Sequence, residues 1–321
     1  MEKKEGMWRD VVVDKRSAGR RIDVYLSLRF FRYSRSSIAR FIQRGEILSD
    51  LRQLKPSSVL ILGERLKLFV PGLAPSEAPP PLPPILYEDQ KIIVVNKPAG
   101  MLVHPSGDRF VWALIGLVKS ARPDFRIDLA HRLDRDTSGA LILTKDLETN
   151  AFIKNKIAEH RVRKVYLAIV RGIPPWERAE VEAPIGEDKS STVRLKRGVQ
   201  AEGKVAWTSF KVLKRMNGFA LIECMLHTGR THQIRIHLEH LGFPILGDKL
   251  YGQPDKVFLE YLELGATEMV RKATCFPRHA LHAHQLVFPL PTGGYRRLRA
   301  PLALDMKRVI EGERPEWKIS T

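Results

Sequence analysis

His131-Arg132-Leu133-Asp134-Arg135-Asp136-Thr137-Ser138-Gly139 is the stretch from which the rest of the chain can be read. It sets ionisable and polar side chains about one leucine and ends in glycine. The apolar run Ala140-Leu141-Ile142-Leu143 follows at once and reads as a buried strand. Loops that carry chemistry are often held this way, with the reactive groups at the edge of a rigid strand. Two arginines bracket Asp134, and a guanidinium a few ångströms from a carboxylate lowers its pKa by about 1–3 units. An ionised carboxylate so placed could act as nucleophile or base. The competing reading is a solvated turn in which Asp134 or Asp136 bonds nearby backbone. The loop by itself leaves these open.

Composition narrows the partners. The 321 residues suffice for one large domain and a small one, and 44% of them are hydrophobic. A net charge of +18 and a pI near 10.0 point to a polyanion, either nucleic acid or an anionic membrane. No apolar segment approaches the ~20 residues that span a bilayer, and Met1-Glu2-Lys3-Lys4-Glu5 lacks the apolar core of a signal peptide. Nucleic acid is therefore the expected partner, with no membrane. Cys224 and Cys275 have neither zinc-site nor disulfide spacing, and a reducing cytoplasm fits them.

Residues 1–70 hold sixteen Lys and Arg against eight Asp and Glu, a net +8. Ile22, Tyr25 and Leu26 fall at helical spacing. A second helix has Ser34 as N-cap, Ile38, Phe41 and Ile42 as its apolar stripe, and Gly45 past its end. Arg35, Arg40 and Arg44 lie off that stripe and make a candidate RNA face, since guanidiniums pair bidentately with phosphate. An ordinary solvated helix surface explains them equally well. Residues 71–84 are proline-rich and read as a semi-rigid linker.

Beyond the linker, Ile92-Ile93-Val94-Val95 is strand-like and Asn96-Lys97-Pro98-Ala99-Gly100 turns out of it. Leu147 to Glu159 reads as a helix, and Lys164 to Val170 as a strand carrying Tyr166. From Thr231 a helix is expected with Ile234, Leu238 and Leu241 on one face and Gly242 ending it. His227, His232, His237 and His240, and then His279, His282 and His284, invite a metal reading. Their spacing scatters them over different faces, and no metal is expected.

His131-Arg132-Leu133-Asp134-x-x-Thr137-Ser138-Gly139 resembles the signature of the RluA-type RNA pseudouridine synthases. The resemblance runs over nearly all of residues 85–321, through the Asn96–Gly100 block with His104-Pro105, Lys164-x-Tyr166, His227 to Leu238, Gly242 to Gly252, and Ala280-Leu281-His282-Ala283. His279 stands where a glutamine is more usual. The first part of the chain resembles the small S-four RNA-binding domain through Arg21-Ile22-Asp23, Ser34-Arg35-Ser36, Arg44-Gly45-Glu46-Ile47 and Leu62-Gly63-Glu64. It departs at Leu48-Ser49-Asp50-Leu51, where an Asn-Gly turn is usual.

The resemblance implies an α+β fold, the pseudouridine synthase fold with a mostly antiparallel central sheet, preceded by a small α/β RNA-binding domain. The expected layout is an extension over 1–16, the S-four-like domain over 17–70, the linker over 71–84 and the catalytic domain over 85–321. It implies isomerisation of uridine to pseudouridine, with Asp134 acting at the ribose, either on the anomeric carbon or on an adjacent proton. Arg230 is expected to pair with Asp134, Arg132 to fill the space a flipped base vacates, and Tyr166 to stack on the uracil. His131, Lys164 and Ile234 are expected at the substrate. The uracil is detached and rotated without leaving, so no cofactor is expected. A hydrolase that releases the base and a noncatalytic RNA chaperone are the alternatives from other classes. Ribosomal RNA of the large subunit is the expected substrate with tRNA second, and the protein is expected to be a cytoplasmic monomer.

Overall fold

The computed structural model describes residues 6–15, 17–29, 35–71, 80–104 and 113–317. The chain divides into two compact units that change over at Pro80–Pro81. The first contains β1 (Gly6–Val12), α1 (Ile22–Arg29), α2 (Arg35–Gln43), β2 (Ile47–Ser49) and β3 (Arg65–Pro71). The stripes read from the sequence do bury: Ile22, Leu26, Ile38 and Ile42 pack with Leu66 and Leu68. Gly45 follows α2 at φ 70°, a left-handed conformation that glycine adopts without strain. Ser34, the expected N-cap, lies outside the described residues, as do 72–79 of the proline-rich stretch.

Two details of this unit differ from expectation. Residues 6–12, read as an extension, form a strand that pairs with β3 over its whole length, and Trp8 meets Phe69 at 5.4 Å between ring centroids. As an edge strand it exposes Trp8, Asp10 and Val12, so apolar and charged residues mix and the alternation is hidden. The departure at Leu48–Leu51 still yields β2, antiparallel to β3. There the Ser49 hydroxyl donates to the buried Glu64 carboxylate at 2.7 Å, and Asp50 accepts from the Arg65 amide at 2.9 Å.

The second unit contains β4 (Ile85–Glu88), β5 (Ile92–Lys97), α3 (Leu114–Ala121), β6 (Asp128–Leu129), β7 (Ser138–Thr144), α4 (Leu147–Ala158), β8 (Arg163–Arg171), β9 (Arg178–Glu182), β10 (Ile185–Glu187) and β11 (Arg197–Val199). It continues with β12 (Trp207–Met216), β13 (Phe219–Leu226), α5 (Gln233–His240), α6 (Asp255–Leu264), α7 (Glu268–Thr274), β14 (Leu281–Pro289), β15 (Tyr295–Arg299) and α8 (Leu304–Ile310). One ten-stranded sheet runs β4-β5-β7-β14-β8-β13-β12-β9, with β15 on β14 and β6 on β7; β10 and β11 pair separately. Every pairing in the large sheet is antiparallel except β14 with β7. The α+β class and the mostly antiparallel sheet are as the resemblance implied.

β7 is apolar without interruption because both of its faces are covered. Leu141 and Leu143 join Ile93 and Val95 in one core, while Ala140 and Ile142 join Ile92 and Val94 in another. Full burial of each such Leu or Ile stabilises by about 1.5–3 kcal/mol. On the second face lies α4, capped by Asp146, whose carboxylate accepts from the Thr149 amide at 2.7 Å. His160, at φ 57°, ends this helix region and turns the chain into β8.

Gly139 is the point of closest approach. It sits at φ 112° opposite Ala283 in the parallel pairing, and a Cβ there would run into the carbonyl of Ala283. Gly139→Ala is therefore expected to cost about 3 kcal/mol or more in denaturant unfolding, the range reached when backbone must shift. Gly218→Ala, at a turn with open space around it, should cost much less.

Candidate active site

A cleft of about 720 Å³ opens in the second unit. Its lining comes from the 131–137 loop, the end of α4, the start of β8, the end of β13 and the segment leading into α5. Of the residues singled out in the sequence, His131, Arg132, Asp134, Lys164, Tyr166, Arg230 and Ile234 all line it.

Asp134 is the carboxylate in this lining. Its Oδ2 receives a hydrogen bond from Nη1 of Arg235 at 3.2 Å and lies 3.8 Å from Nε2 of His232. Burial works to raise its pKa, but His232 and Arg235 more than offset this and hold it below the ordinary carboxylate range. His232 is pushed down to about 4, chiefly by burial, so it is neutral at pH 7. The charge on Asp134 at pH 7 is therefore sustained by Arg235. Arg235 in turn is anchored bidentately: Nε and Nη2 donate to the two oxygens of Asp248 at 2.6 and 2.8 Å. The Asp248 side chain is fully buried and also accepts from the amides of Leu250 and Tyr251. The guanidinium lies 4.7 Å from the centroid of Tyr251, whose hydroxyl is 2.9 Å from Nδ1 of His232.

The arginine on Asp134 is thus Arg235 and not Arg230. Arg230 is exposed and its Nε donates to the Val205 carbonyl at 2.9 Å. It precedes α5, whereas Arg235 lies one turn inside it among buried residues from Gln233 to Leu238. The helix also starts two residues later than the sequence suggested. His232, at φ 60°, stands before it, and the Gln233 side chain accepts from the Arg230 amide while donating to Trp207 and Thr208. A readable signal was present: an arginine flanked by Ile234, Ile236 and Leu238 has to be buried with a partner.

The backbone of the loop is fixed by two more cations. Lys97, fully buried, donates from Nζ to the carbonyls of Pro98, Met101 and Arg135 at 2.8, 2.9 and 2.8 Å. Arg278 donates to the carbonyl of Asp136 while its Nε and Nη2 bind Asp305 at 2.6 and 2.8 Å. Thr137 is 2.8 Å from Nε2 of His279, and Ser138 is 2.9 Å from Nδ1 of His282. Asp136 turns away from the cleft to Arg135 at 3.0 Å and Lys249 at 3.9 Å.

Tyr166 is buried on β8 between Cys224 of β13 and Ala283 of β14, and its hydroxyl stays protonated because burial, then Asp134, raise its pKa. Ile234 is buried beside it in the lining. Lys164 is buried with Nζ against Gly229, and burial lowers its pKa. His131 accepts from the Ile142 amide at 3.2 Å and is neutral, its pKa brought to about 3 mainly by burial. The Arg132 side chain is exposed and makes no hydrogen bond or ion pair among the described residues. In the first unit, Arg35 binds Asp23 at 2.8 Å together with Arg21, while Arg40 and Arg44 are exposed.

Most of these histidines are individually engaged. His227 stacks on Trp207 and meets Ser209, His237 meets Thr208 and the Ala183 carbonyl, and His284 meets the Ala300 carbonyl. Among the described residues no group of three His, Cys, Asp or Glu side chains is placed to hold a metal.

Two expectations test this geometry. Arg235→Met should lower stability by about 3–5 kcal/mol in urea unfolding, since it strands the buried Asp248. Arg230→Gln, at an exposed position, should stay within about 0.5 kcal/mol. His131, His232, His279 and His282 have native pKa values lowered to about 3, 4, 3 and 4 from an ordinary 6.5. The unfolded chain then binds more protons, so stability is present above pH 6.5 and lost as pH falls from there toward 4. His279→Gln can keep a hydrogen bond to Thr137 while removing one titrating group. Its unfolding midpoint should fall less than wild type between pH 7 and pH 5.

The chain is similar to known proteins over most of its length. Residues 91–240 match the RNA pseudouridylate synthase family. The chain is 33% identical to the uncharacterized RNA pseudouridine synthase YlyB of Bacillus subtilis, over 95% of this chain and 98% of that protein. It is 35% identical to the ribosomal large subunit pseudouridine synthase D of Xanthomonas campestris, over 96% of this chain and 93% of that protein. Among solved structures it resembles human RNA pseudouridylate synthase domain containing 4, with a TM-score of 0.56 and 29% identity over 71% of this chain and 91% of that one. With relatives matched over nearly their whole length, the chain belongs to the RNA pseudouridine synthase family and is an isomerase of that kind.

Proposed function

We propose that this synthase converts uridines of large-subunit ribosomal RNA to pseudouridine, with Asp134 acting at the ribose of a uridine extruded into the cleft. The observation that carries the site assignment is the ion pair: Asp134 is the carboxylate of the lining and is held charged by a buried arginine. Extruding a stacked base costs a few kcal/mol. Tyr166 offers its ring face to the uracil and Ile234 an apolar wall. Arg132, an exposed lining residue whose side chain has no ion pair among the described residues, is suited to enter the vacated place in the stack. His131 and Lys164 border the same space, and Lys164 is a donor with no protein partner among the described residues. The ribosomal target follows the name of the Xanthomonas relative. In this reading the first unit adds affinity and target choice, with the exposed Arg35, Arg40 and Arg44 as its candidate RNA contacts.

Base release by hydrolysis is the weaker reading. It calls for a second carboxylate as acid, and Asp136 is turned onto Arg135 and Lys249 outside the lining. Asp134→Asn is expected to reduce turnover by on the order of 10³-fold or more, as loss of an essential reacting group does. The measurement is release of the uracil carbon-five hydrogen from unmodified ribosomal RNA transcript, without release of free uracil. RNA affinity should stay within several-fold. Turnover near wild type would remove Asp134 from the chemistry.

A further inference from the structure

We propose that the outer face of β15 and the adjoining start of β8 form a track for the single strand of substrate RNA that flanks the extruded uridine. This rests on the RNA-modifying reading above and adds the route the strand takes away from the cleft.

The register places the groups. Arg163 of β8 pairs with Val287 of β14, and Val287 pairs with Arg297 of β15, so the three side chains share one face. Two residues along each strand, Val165, Gln285 and Arg299 make the next row on that face, and Tyr295 lies opposite Pro289 on the other side. Strands lie about 4.8 Å apart, which sets Arg163 and Arg297 roughly 10 Å from each other. Tyr295 is 56% exposed, and its hydroxyl accepts from Nη2 of Arg161 at 3.1 Å. The opposite face of β15 does different work: Leu298 packs into the core, and Arg296 lies over the Tyr87 ring at 4.7 Å. The exposed side of this edge strand is thus basic and aromatic while its inner side seals the core.

No carboxylate occurs on β8, β14 or β15. Among the described residues Arg161, Arg163 and Arg297 form no ion pair. Glu159, nearby in sequence, is paired with Lys156 at 2.7 Å. Glu223, further across the sheet on β13, stands opposite Lys211. A cluster of guanidiniums with no internal counter-charge fits a polyanion. An exposed tyrosine ring held by its hydroxyl gives an unpaired base a surface to stack on. The patch adjoins the cleft at Arg163, which belongs to the cleft lining.

The experiment compares wild type with Arg161→Ala/Arg297→Ala, Arg161→Lys/Arg297→Lys and Tyr295→Ala. The substrate is an unmodified large-subunit ribosomal RNA transcript tritiated at uracil carbon five, assayed across a monovalent salt series. Thermal melting shows that each variant is folded. The double alanine variant should raise KM about tenfold, leave kcat at saturating RNA within twofold, and make the salt dependence shallower by a log–log slope of roughly 0.7 per arginine. The double lysine variant should keep the wild-type slope, and Tyr295→Ala should raise KM without changing it. An unchanged KM and slope in the double alanine variant would overturn the track. So would a defect that appears on assembled ribosomal particles but not on naked RNA, which would assign the patch to a protein partner. Wild-type protein that releases no tritium from this transcript would instead sink the ribosomal target, a result distinct from either.

Discussion

One guanidinium serves two carboxylates here, and the site depends on that sharing. Arg235 satisfies Asp248 on two of its nitrogens and turns a third to Asp134. The first pair is wholly interior, and its desolvation is offset by bidentate geometry and by the amides that also bind Asp248. Because that pair fixes the guanidinium, Asp134 meets a cation that is already in place. A carboxylate in such a setting needs little reorganisation to stay charged as a substrate displaces water from the cleft.

The loop that bears Asp134 is held with equal firmness from below. Lys97 and Arg278, from opposite ends of the second unit's sequence, bind consecutive carbonyls at residues 135 and 136. The histidines that follow Arg278 bind the side chains of Thr137 and Ser138. A reactive group is placed only as well as the shell behind it is ordered, and here backbone and side chains are both tied. Burial is complete enough that the neighbouring histidines are neutral at pH 7, so the positive charge near Asp134 is concentrated on arginine.

Much of this was legible in the sequence, for identifiable reasons. The signature loop, the apolar run of β7 and the stripe of α2 are local patterns, and each appears where its spacing put it. The expectation that Arg230 pairs with Asp134 rests on the family resemblance of the His227–Leu238 block alone. What decided otherwise was the left-handed turn at His232 and the late start of α5, which carry Arg235 inward and leave Arg230 at the surface. Lys97 looked like part of a turn, since nothing local reveals that its ammonium reaches a carbonyl 38 residues away. β1 was missed because an edge strand with one solvated side need not alternate cleanly. The errors therefore fall where long-range contacts, rather than local periodicity, set the outcome.

The parallel join between β7 and β14 has a bearing on how the protein comes into being. Asp136, Thr137, Ser138 and Gly139 are matched in turn by Arg278, His279, His282 and Ala283. A chain still being synthesised can assemble β4, β5 and β7 early, yet the underside of the signature loop is missing until roughly 140 further residues have emerged. Closing so long a loop is entropically costly and slow compared with forming a hairpin. The loop that bears Asp134 thus gains its underside contacts late in synthesis. A nascent or truncated chain that carries Asp134 does not yet carry these contacts, which arrive only when β14 joins the sheet.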